Sequence, residues 1–432
     1  MRPDGLTGRM HWLRKMAMSL TDQALVAGSG FIVTVLLSRW LAPKDYGAYA
    51  VAFSIFLFIA GLHNALVLEP MSVFGPSAYR SSLRAYLAKL VRLHFLICFP
   101  LVGLLALVGA GSGHWLGSGT FSSSALWGLS LGLPWILFFW LWRGIAYVDL
   151  RPELAVRAAA TYAPMTLILM LAFRWLGWLS PFSAFVLQAA AALITSAVLI
   201  VLTWPQLSSC ALPSSGPSVL GRHWEYGRWV VVTAFVYWLS GGASYIIAGF
   251  LLGMSDVAAL RALQNFVLPV SQLMAATSRV LLPWTSARFA DQGIPAIQRA
   301  IERITLLAAS AAGLYLVGVW LVGRWLIDLM YNGRYIEFSH LLPLVALPVF
   351  LSAASQGPAI AMQAMRLPVE ISLGYTAAAV VNILAGVILT RYWGLIGNIL
   401  GMSGASLAFL VVIGYRCRVR LGRILPERVA AT

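Results

Sequence analysis

The chain alternates about a dozen apolar runs, each about 20 residues long, with short polar turns. A helix of that length crosses about 30 Å of hydrocarbon, and a backbone inside lipid can only be helical or part of a closed barrel. The runs lie near 20–37, 46–68, 86–110, 122–142, 158–178 and 182–204, then 229–252, 258–282, 304–326, 341–362, 371–390 and 395–415. Only 10% of the 432 residues are charged, against about a quarter in soluble domains. The pattern predicts an all-α polytopic membrane protein of about 12 transmembrane helices. The first run continues too far for a cleaved signal peptide and is read as a retained helix.

The basic balance, 30 Lys+Arg against 14 Asp+Glu and a net charge of +16, would suggest nucleic acid in a soluble protein. Here the cations sit in short segments between apolar runs, the distribution of the positive-inside rule, and no nucleic-acid partner is expected. With the N-terminus inside, 22 Lys/Arg fall on the inner side and seven on the outer, with Arg279 left within a run. Both termini are therefore expected in the cytoplasm. A Pro/Ser-rich stretch from Pro205 to Pro217 divides two sets of six runs. The expected layout is an N-terminal lobe at 1–204, a cytoplasmic linker at 205–222 and a C-terminal lobe at 223–432. The hairpin turn LLSRWLAPKDYGAYA, Leu36 to Ala50, returns as GFLLGMSDVAALRA, Gly249 to Ala262, with Asp45 opposite Asp256 and Gly47 opposite Ala258. An even number of spans in each half makes the halves parallel repeats about the membrane normal. No loop is long enough for a folded extramembrane domain. GSGHWLGSGTFSSS, between the third and fourth runs, is uncharged, and Ser286–Arg303 and Arg324–His340 read as interfacial amphipathic helices.

Enzyme chemistry is poorly represented. There is no Walker A loop, HExxH or GxSxG, and the three cysteines show no metal-like spacing. The acidic residues are scattered, and no large outer loop exists to carry a sugar polymerase or ligase site. We expect a protein that is not an enzyme, has no cofactor, and acts between its helices.

The eighth run carries the most informative polar pattern. Arg261, Asn265, Gln272 and Arg279 are spaced at i, i+4, i+11 and i+18, which on one continuous helix places them within about 40° of each other over about 27 Å. Two readings stand: a cationic wall for a phosphate-bearing substrate, or two snorkelling arginines with two amides bonding neighbouring helices. Pro269 lies within the stripe and would loosen the backbone there. In the seventh run Tyr226, Thr233, Tyr237, Ser240 and Ser244 form a second stripe. Its hydroxyls and rings suit sugars, and its Ser240–Ser244 segment, SGGAS, equally suits close helix packing. Asp22 is either a protonatable coupling site or a cap beside Thr21, and Glu69 is the second carboxylate considered for coupling. His63 reads as a satisfied interior histidine. Arg143, flanked by Trp140 and Trp142, is either a substrate contact or an interfacial anchor.

The opening TDQALVAGSGFIVTVLLSRWLAPKDYGAYAVA resembles the first hairpin of the bacterial polysaccharide flippases. These are the O-antigen and exopolysaccharide repeat-unit transporters of the multidrug/oligosaccharidyl-lipid/polysaccharide (MOP) exporter superfamily. The turn reads Ser38-Arg39-Trp40-Leu41-Ala42-Pro43-Lys44-Asp45-Tyr46-Gly47, with Ala42 where the family usually has Gly. Arg151-Pro152 and Gln363-Ala364-Met365-Arg366 resemble the family's inner turns. The resemblance implies a MATE-like V of two six-helix lobes in the bacterial inner membrane. It implies alternating-access transport of undecaprenyl-diphosphate-linked oligosaccharide to the outer leaflet for polysaccharide biosynthesis, with proton or sodium coupling possible in the family. Membrane lipids and polysaccharide polymerase or assembly proteins are the implied partners. Arg261, Asn265, Gln272, Arg279, Tyr237, Ser240, Arg39 and Arg143 are the implied substrate contacts, and guanidinium forks suit a diphosphate. The alternatives are a MATE-type cation or drug antiporter, which should carry acids at mid-depth, and a membrane sugar polymerase or ligase.

Overall fold

The computed structural model describes residues 6–115, 123–207 and 218–429; some side chains within these segments, that of Arg279 among them, fall outside the description. The described chain is helical, with no strand. Its first six long elements are α1 (Leu6–Trp40), α2 (Pro43–Phe74), α3 (Leu83–Trp115), α4 (Ser123–Val148), α5 (Pro152–Trp175) and α6 (Pro181–Leu207). The next are α7 (Val219–Gly241 and, after a 42° bend, Ala243–Leu251), α8 (Met254–Gln264 and, after a 54° bend, Leu268–Gln292), α9 (Ile294–Tyr331) and α10 (Leu342–Ala354 with Gln356–Ala364). The remaining helical stretch, Pro368–Val429, has 62 residues and would be about 93 Å long if straight. Instead it breaks at Gly394, whose φ of 58° and ψ of −137° suit only glycine. Its arms are α11 (368–393) and α12 (395–429). Among the described residues nine helices are long and apolar enough to span a membrane, or eleven with each bent pair as one span. The last of them reverses at Gly394, and with its two arms counted apart the layout is consistent with the expected count of about 12.

The chain divides into two compact units, 1–234 and 235–432, and the division falls inside α7. Residues 208–217 of the expected linker lie outside the described residues, while 219–222 already form the first turn of α7. Most of the Gly/Ser-rich stretch between α3 and α4, residues 116–122, also lies outside them.

The repeat seen in the sequence is a repeat of turns. Tyr46 N–H bonds Ala42 O at 2.9 Å, and in the second copy Val257 N–H bonds Gly253 O at 3.3 Å. Asp45 and Asp256 occupy the first turns of their helices, where carboxylates oppose the positive dipole end. The inner turns match as closely. Arg151 N–H bonds Ala146 O (2.9 Å) and Leu367 N–H bonds Met362 O (3.0 Å). In these turns Leu150 and Arg366 adopt φ of 58° and 60°, and prolines at 152 and 368 start the next helices.

In the first unit, Gly128 and Gly132 bring α4 against α6. A Cβ at Gly128 would lie 2.5 Å from Phe182 O, and one at Gly132 3.1 Å from Phe185 O. Leu129, Leu133, Leu137, Phe139 and Trp142 are buried, making α4 the centre of that unit. Trp175 and Trp178 are exposed at the end of α5, as an interfacial aromatic belt requires, and Trp224 and Trp229 are exposed along the first half of α7. In the second unit the α11–α12 hairpin is equally tight, with a Cβ at Gly401 falling 2.5 Å from Gly386 Cα. Ile294, Ile297, Met362, Ile371, Ile413 and Cys417 share one apolar cluster there. Helix α9 runs unbroken for 38 residues, about 57 Å. It absorbs residues 294–303 and 324–331, which the sequence suggests as parts of separate interfacial helices. Gly293 (φ 66°) and Asn332 (φ 56°) bound it, so the amphipathic segments extend a span rather than lie beside one.

Candidate functional site

In the first unit the polar chemistry begins at Asp22, in the middle of α1. The helix starts well before it, at Leu6, so the capping role is ruled out: there is no helix end to cap. The carboxylate is fully buried and grips Arg143 of α4 through a two-point fork, Nε to Oδ1 at 3.0 Å and Nη2 to Oδ2 at 2.6 Å. Tyr147, one turn further along α4, donates its hydroxyl to Oδ2 at 2.6 Å. Arg143 lies over the Phe139 ring at 5.5 Å. A two-point fork plus a hydroxyl satisfies a buried carboxylate well, which burial demands. Arg143 is thus enclosed rather than an interfacial anchor. Tyr147 also lines a cavity of about 630 Å³ with Ser72, Pro76, Arg80, Asp149 and Leu150.

Helix α2 contains a π-helical turn, Asn64–Leu68, followed by Pro70. Proline supplies no N–H to the carbonyls one turn back. His223 Nδ1 donates to Leu66 O at 2.8 Å, and Tyr86 donates its hydroxyl to His223 Nε2 at 2.7 Å. Tyr226, one turn along α7, donates to Glu69 at 2.9 Å. At Gly227 a Cβ would lie 2.7 Å from Ala65 O, so α7 lies directly on the widened turn. His63 is buried with Nε2 2.9 Å from His94 Nδ1, and His94 Nε2 donates to Pro134 O at 3.0 Å. It is a bonded interior histidine, as expected. Sequence reasoning finds neither His94 nor His223 as partners of α2, because both are distant in the chain; polar residues one turn from a proline are the available signal.

In the second unit the stripe expected on one face of α8 is divided. The helix breaks between Gln264 and Leu268 and bends by 54°. Arg261 and Asn265 lie at or before the break, Gln272 and Arg279 after it, so the assumption of one continuous helical period fails. Phe266 N–H and Val267 N–H reach back only three residues, to Leu263 O (3.2 Å) and Gln264 O (3.1 Å). Tyrosines of α9 serve the carbonyls at the break: Tyr331 donates to Ala262 O at 3.0 Å and Tyr315 to Phe266 O at 2.9 Å. Asn265, fully buried, donates to the Tyr331 hydroxyl at 3.1 Å. Arg261 is buried and donates to the Tyr245 hydroxyl at 3.2 Å, with the guanidinium 5.9 Å from that ring; Tyr245 in turn bonds Gln264. Gln272 is exposed, and the Arg279 side chain lies outside the described residues. A cavity of about 200 Å³ beside the break is lined by Gln264, Ser271, Ser352, Met402 and Ser406. It is smaller than the range of about 300–1,000 Å³ typical of ligand pockets.

The seventh-helix stripe is divided too. Tyr226 bonds Glu69 in the first unit. Ser244 is buried and donates to Asn382 Oδ1 at 3.0 Å, while Asn382 donates to Leu239 O at 2.8 Å and Asn398 to Ser244 O at 3.2 Å. That end of the stripe is helix packing. Tyr237 is 59% exposed and meets Tyr375 edge-on at 5.0 Å, and Ser240 bonds its own backbone at Tyr237 O. Arg39 is exposed in the last turn of α1. The structure therefore brings together Asp22 with Arg143, and Arg261 with Asn265 around the α8 break. It leaves Arg39, Gln272 and Tyr237 at exposed positions.

No family model matches the sequence, and no curated protein matches it. The fold is one this chain shares with solved helical membrane transporters of the MOP superfamily. Three solved structures give the particulars. A multidrug resistance MATE family transporter of the MOP superfamily, inward-facing, superposes with a TM-score of 0.80 over 94% of this chain and 96% of its own, at 13% identity. The lipid II flippase MurJ, in an inward closed conformation, gives a TM-score of 0.70 over 94% and 87%, at 15% identity. A MOP superfamily transporter from Pyrococcus furiosus, described as having a binding pocket of reverse polarity, gives 0.68 over 95% of each chain, at 13% identity.

Proposed function

We propose that this protein moves lipid-linked oligosaccharide, an undecaprenyl-diphosphate-linked repeat unit, from the cytoplasmic to the outer leaflet of a bacterial inner membrane by alternating access of its two halves. One observation carries the choice of an anionic cargo over an organic cation. Among the described residues the buried carboxylates are Asp22 and Glu370, and each is bound by arginine. A drug-cation site needs a buried carboxylate whose charge is not already matched, whereas Asp22 already faces one guanidinium and Glu370 two. Arg261 with Tyr245 offers a fork and an aromatic hydroxyl suited to diphosphate, and Tyr237 and Ser240 offer surfaces suited to sugar. Of the two carboxylates considered for ion coupling, half-buried Glu69 meets the Tyr226 hydroxyl, while Asp22 is held by Arg143 and Tyr147.

The test is a leaflet-resolved assay of lipid-linked oligosaccharide in cells lacking the protein, or carrying wild type or Arg261→Gln at matched membrane levels. Trapping of the intermediate on the cytoplasmic side in the null strain, with at least a tenfold slowing in Arg261→Gln, is the expected result; tenfold corresponds to about 1.4 kcal/mol. Normal crossing without the protein would end the flippase reading. Trapping in the null strain with an unaffected Arg261→Gln would keep the flippase and remove Arg261 from its route.

A further inference from the structure

A second arginine cluster lies in the 235–432 unit, at the ends of α11 and α12, and shares no residue with those assigned to cargo. Glu370, in the first turn of α11, is buried to 1% exposure. Arg416 donates Nη2 to its Oε1 at 3.0 Å and Nε to its Oε2, and Arg420, one turn further along α12, donates Nε to Oε1 at 2.7 Å. One carboxylate thus fixes two guanidinium planes and leaves a local charge of +1. The arginine side chains keep 36% and 38% exposure, so their edges turned away from Glu370 reach the surface. Arg366 and Arg418 are exposed nearby in sequence.

The depth of this cluster follows from α12 itself. Exposed Tyr392 and Trp393 sit at one end of the hairpin. From Leu395, the first residue of α12, to Arg416 is about 32 Å of helix, close to the hydrocarbon thickness of about 30 Å. Leu407, Val411 and Tyr415 are exposed along one face of α12, and Val369 and Leu373 along one face of α11. The buried face of α12 runs through Ile413, Cys417 and Leu421. By helical geometry Arg416 lies between that face and Tyr415. The guanidinium pair therefore stands where lipid-exposed apolar stripes meet headgroup depth.

We propose that Glu370, Arg416 and Arg420 form a headgroup site for an anionic phospholipid of the adjoining leaflet. The phosphate meets the outer edges of the two guanidiniums, and the acyl chains follow the apolar stripes. A free anion would use the same charge but gain nothing from Val369, Leu373 and Tyr415, which is why a bilayer lipid is the occupant.

The test uses full-length protein in nanodiscs of phosphatidylcholine with a minor share of phosphatidylglycerol, and counts lipids retained after extraction by mass spectrometry. Wild type should hold phosphatidylglycerol enriched about fivefold over the bulk mixture. Glu370→Gln/Arg416→Gln/Arg420→Gln, which leaves no buried charge behind, should return to the bulk ratio. Arg420→Gln alone, in which Arg416 still engages Glu370, keeps the test open if the triple variant does not fold, and should lose most of the enrichment. Arg418→Gln should retain it. No enrichment in wild type, equal loss in Arg418→Gln, unchanged enrichment in both Arg420→Gln and the triple variant, or displacement by millimolar inorganic phosphate would each overturn the proposal.

Discussion

The two units share their turns and differ in what binds their helices together. The α1–α2 turn and the α4–α5 turn of the first unit recur in the second with matching hydrogen bonds. Side-chain chemistry does not follow. In the register set by those turns, Asp22 falls opposite Thr233 and Arg143 opposite Ala359. Instead of a buried fork across α1 and α4, the second unit uses Glu370 between α11 and α12, with arginines that remain partly exposed. Backbone turns are fixed by local geometry that few sequences satisfy, so they persist in both copies. Ion pairs need only two compatible positions on facing helices, so each unit has found its own.

If that contrast is real, the two pairs should differ most in what happens when one partner is lost. Arg143→Met strands the fully buried Asp22, and removing one member of a buried pair costs about 3–5 kcal/mol. We expect little folded protein, measured as the monodisperse fraction in detergent. Asp22→Asn combined with Arg143→Met should recover most of it, because no buried charge is then left alone. The corresponding loss at Glu370, Arg420→Gln, leaves Arg416 in place and involves a partly exposed partner, so about 1 kcal/mol or less is expected. Equal penalties at the two sites would erase the distinction.

A smaller contrast concerns helix breaks. In the first unit the carbonyl at the widened turn of α2 is served by a histidine from α7; in the second, those at the break of α8 are served by tyrosines from α9. Tyr331→Phe removes a hydroxyl that accepts from Asn265 and donates to Ala262 O. Leaving buried polar groups unmet costs about 1–3 kcal/mol. Thermal unfolding in detergent should register that loss for Tyr331→Phe and a comparable one for His223→Leu, which frees both Leu66 O and the Tyr86 hydroxyl. If only one variant is destabilised, one break tolerates water and is the more mobile of the two.

These contrasts also explain what is legible in the sequence. Apolar runs of about 20 residues predict the spans, because lipid permits no other backbone there. Proline and small residues predict the hairpin turns, and the Asp45–Asp256 alignment locates the repeat. The α8 stripe fails because a single helical period presumes continuity, and Pro269 sits at the start of a new helical segment. Pro269 signals a loosened backbone; the size of the bend depends on α9 offering Tyr315 and Tyr331, which no local window contains. The Asp22–Arg143 pair is hidden for the same reason, since its members are 121 residues apart. Each stands out alone in the sequence, and only the tertiary fold, in which α1 packs on α5 and Asp22 reaches across to α4, joins them.

The smallest effect tests the shared part of the comparison. Leu150 and Arg366 hold equivalent left-handed positions, φ 58° and 60°, where a side chain is strained by about 1 kcal/mol and glycine is not. Leu150 and Arg366 are both exposed, so trimming them to glycine removes little packing. Part of the relief is offset by the greater freedom of glycine in the unfolded chain. We therefore expect Leu150→Gly and Arg366→Gly each to raise stability by about 0.5 kcal/mol, as a small upward shift of the thermal midpoint. Equal gains would mean that the two turns are one device used twice. A gain at Leu150 with a loss at Arg366 would mean that the second unit has recruited its turn residue for a contact of its own, and that the repeat has begun to diverge in backbone roles as well as in charge.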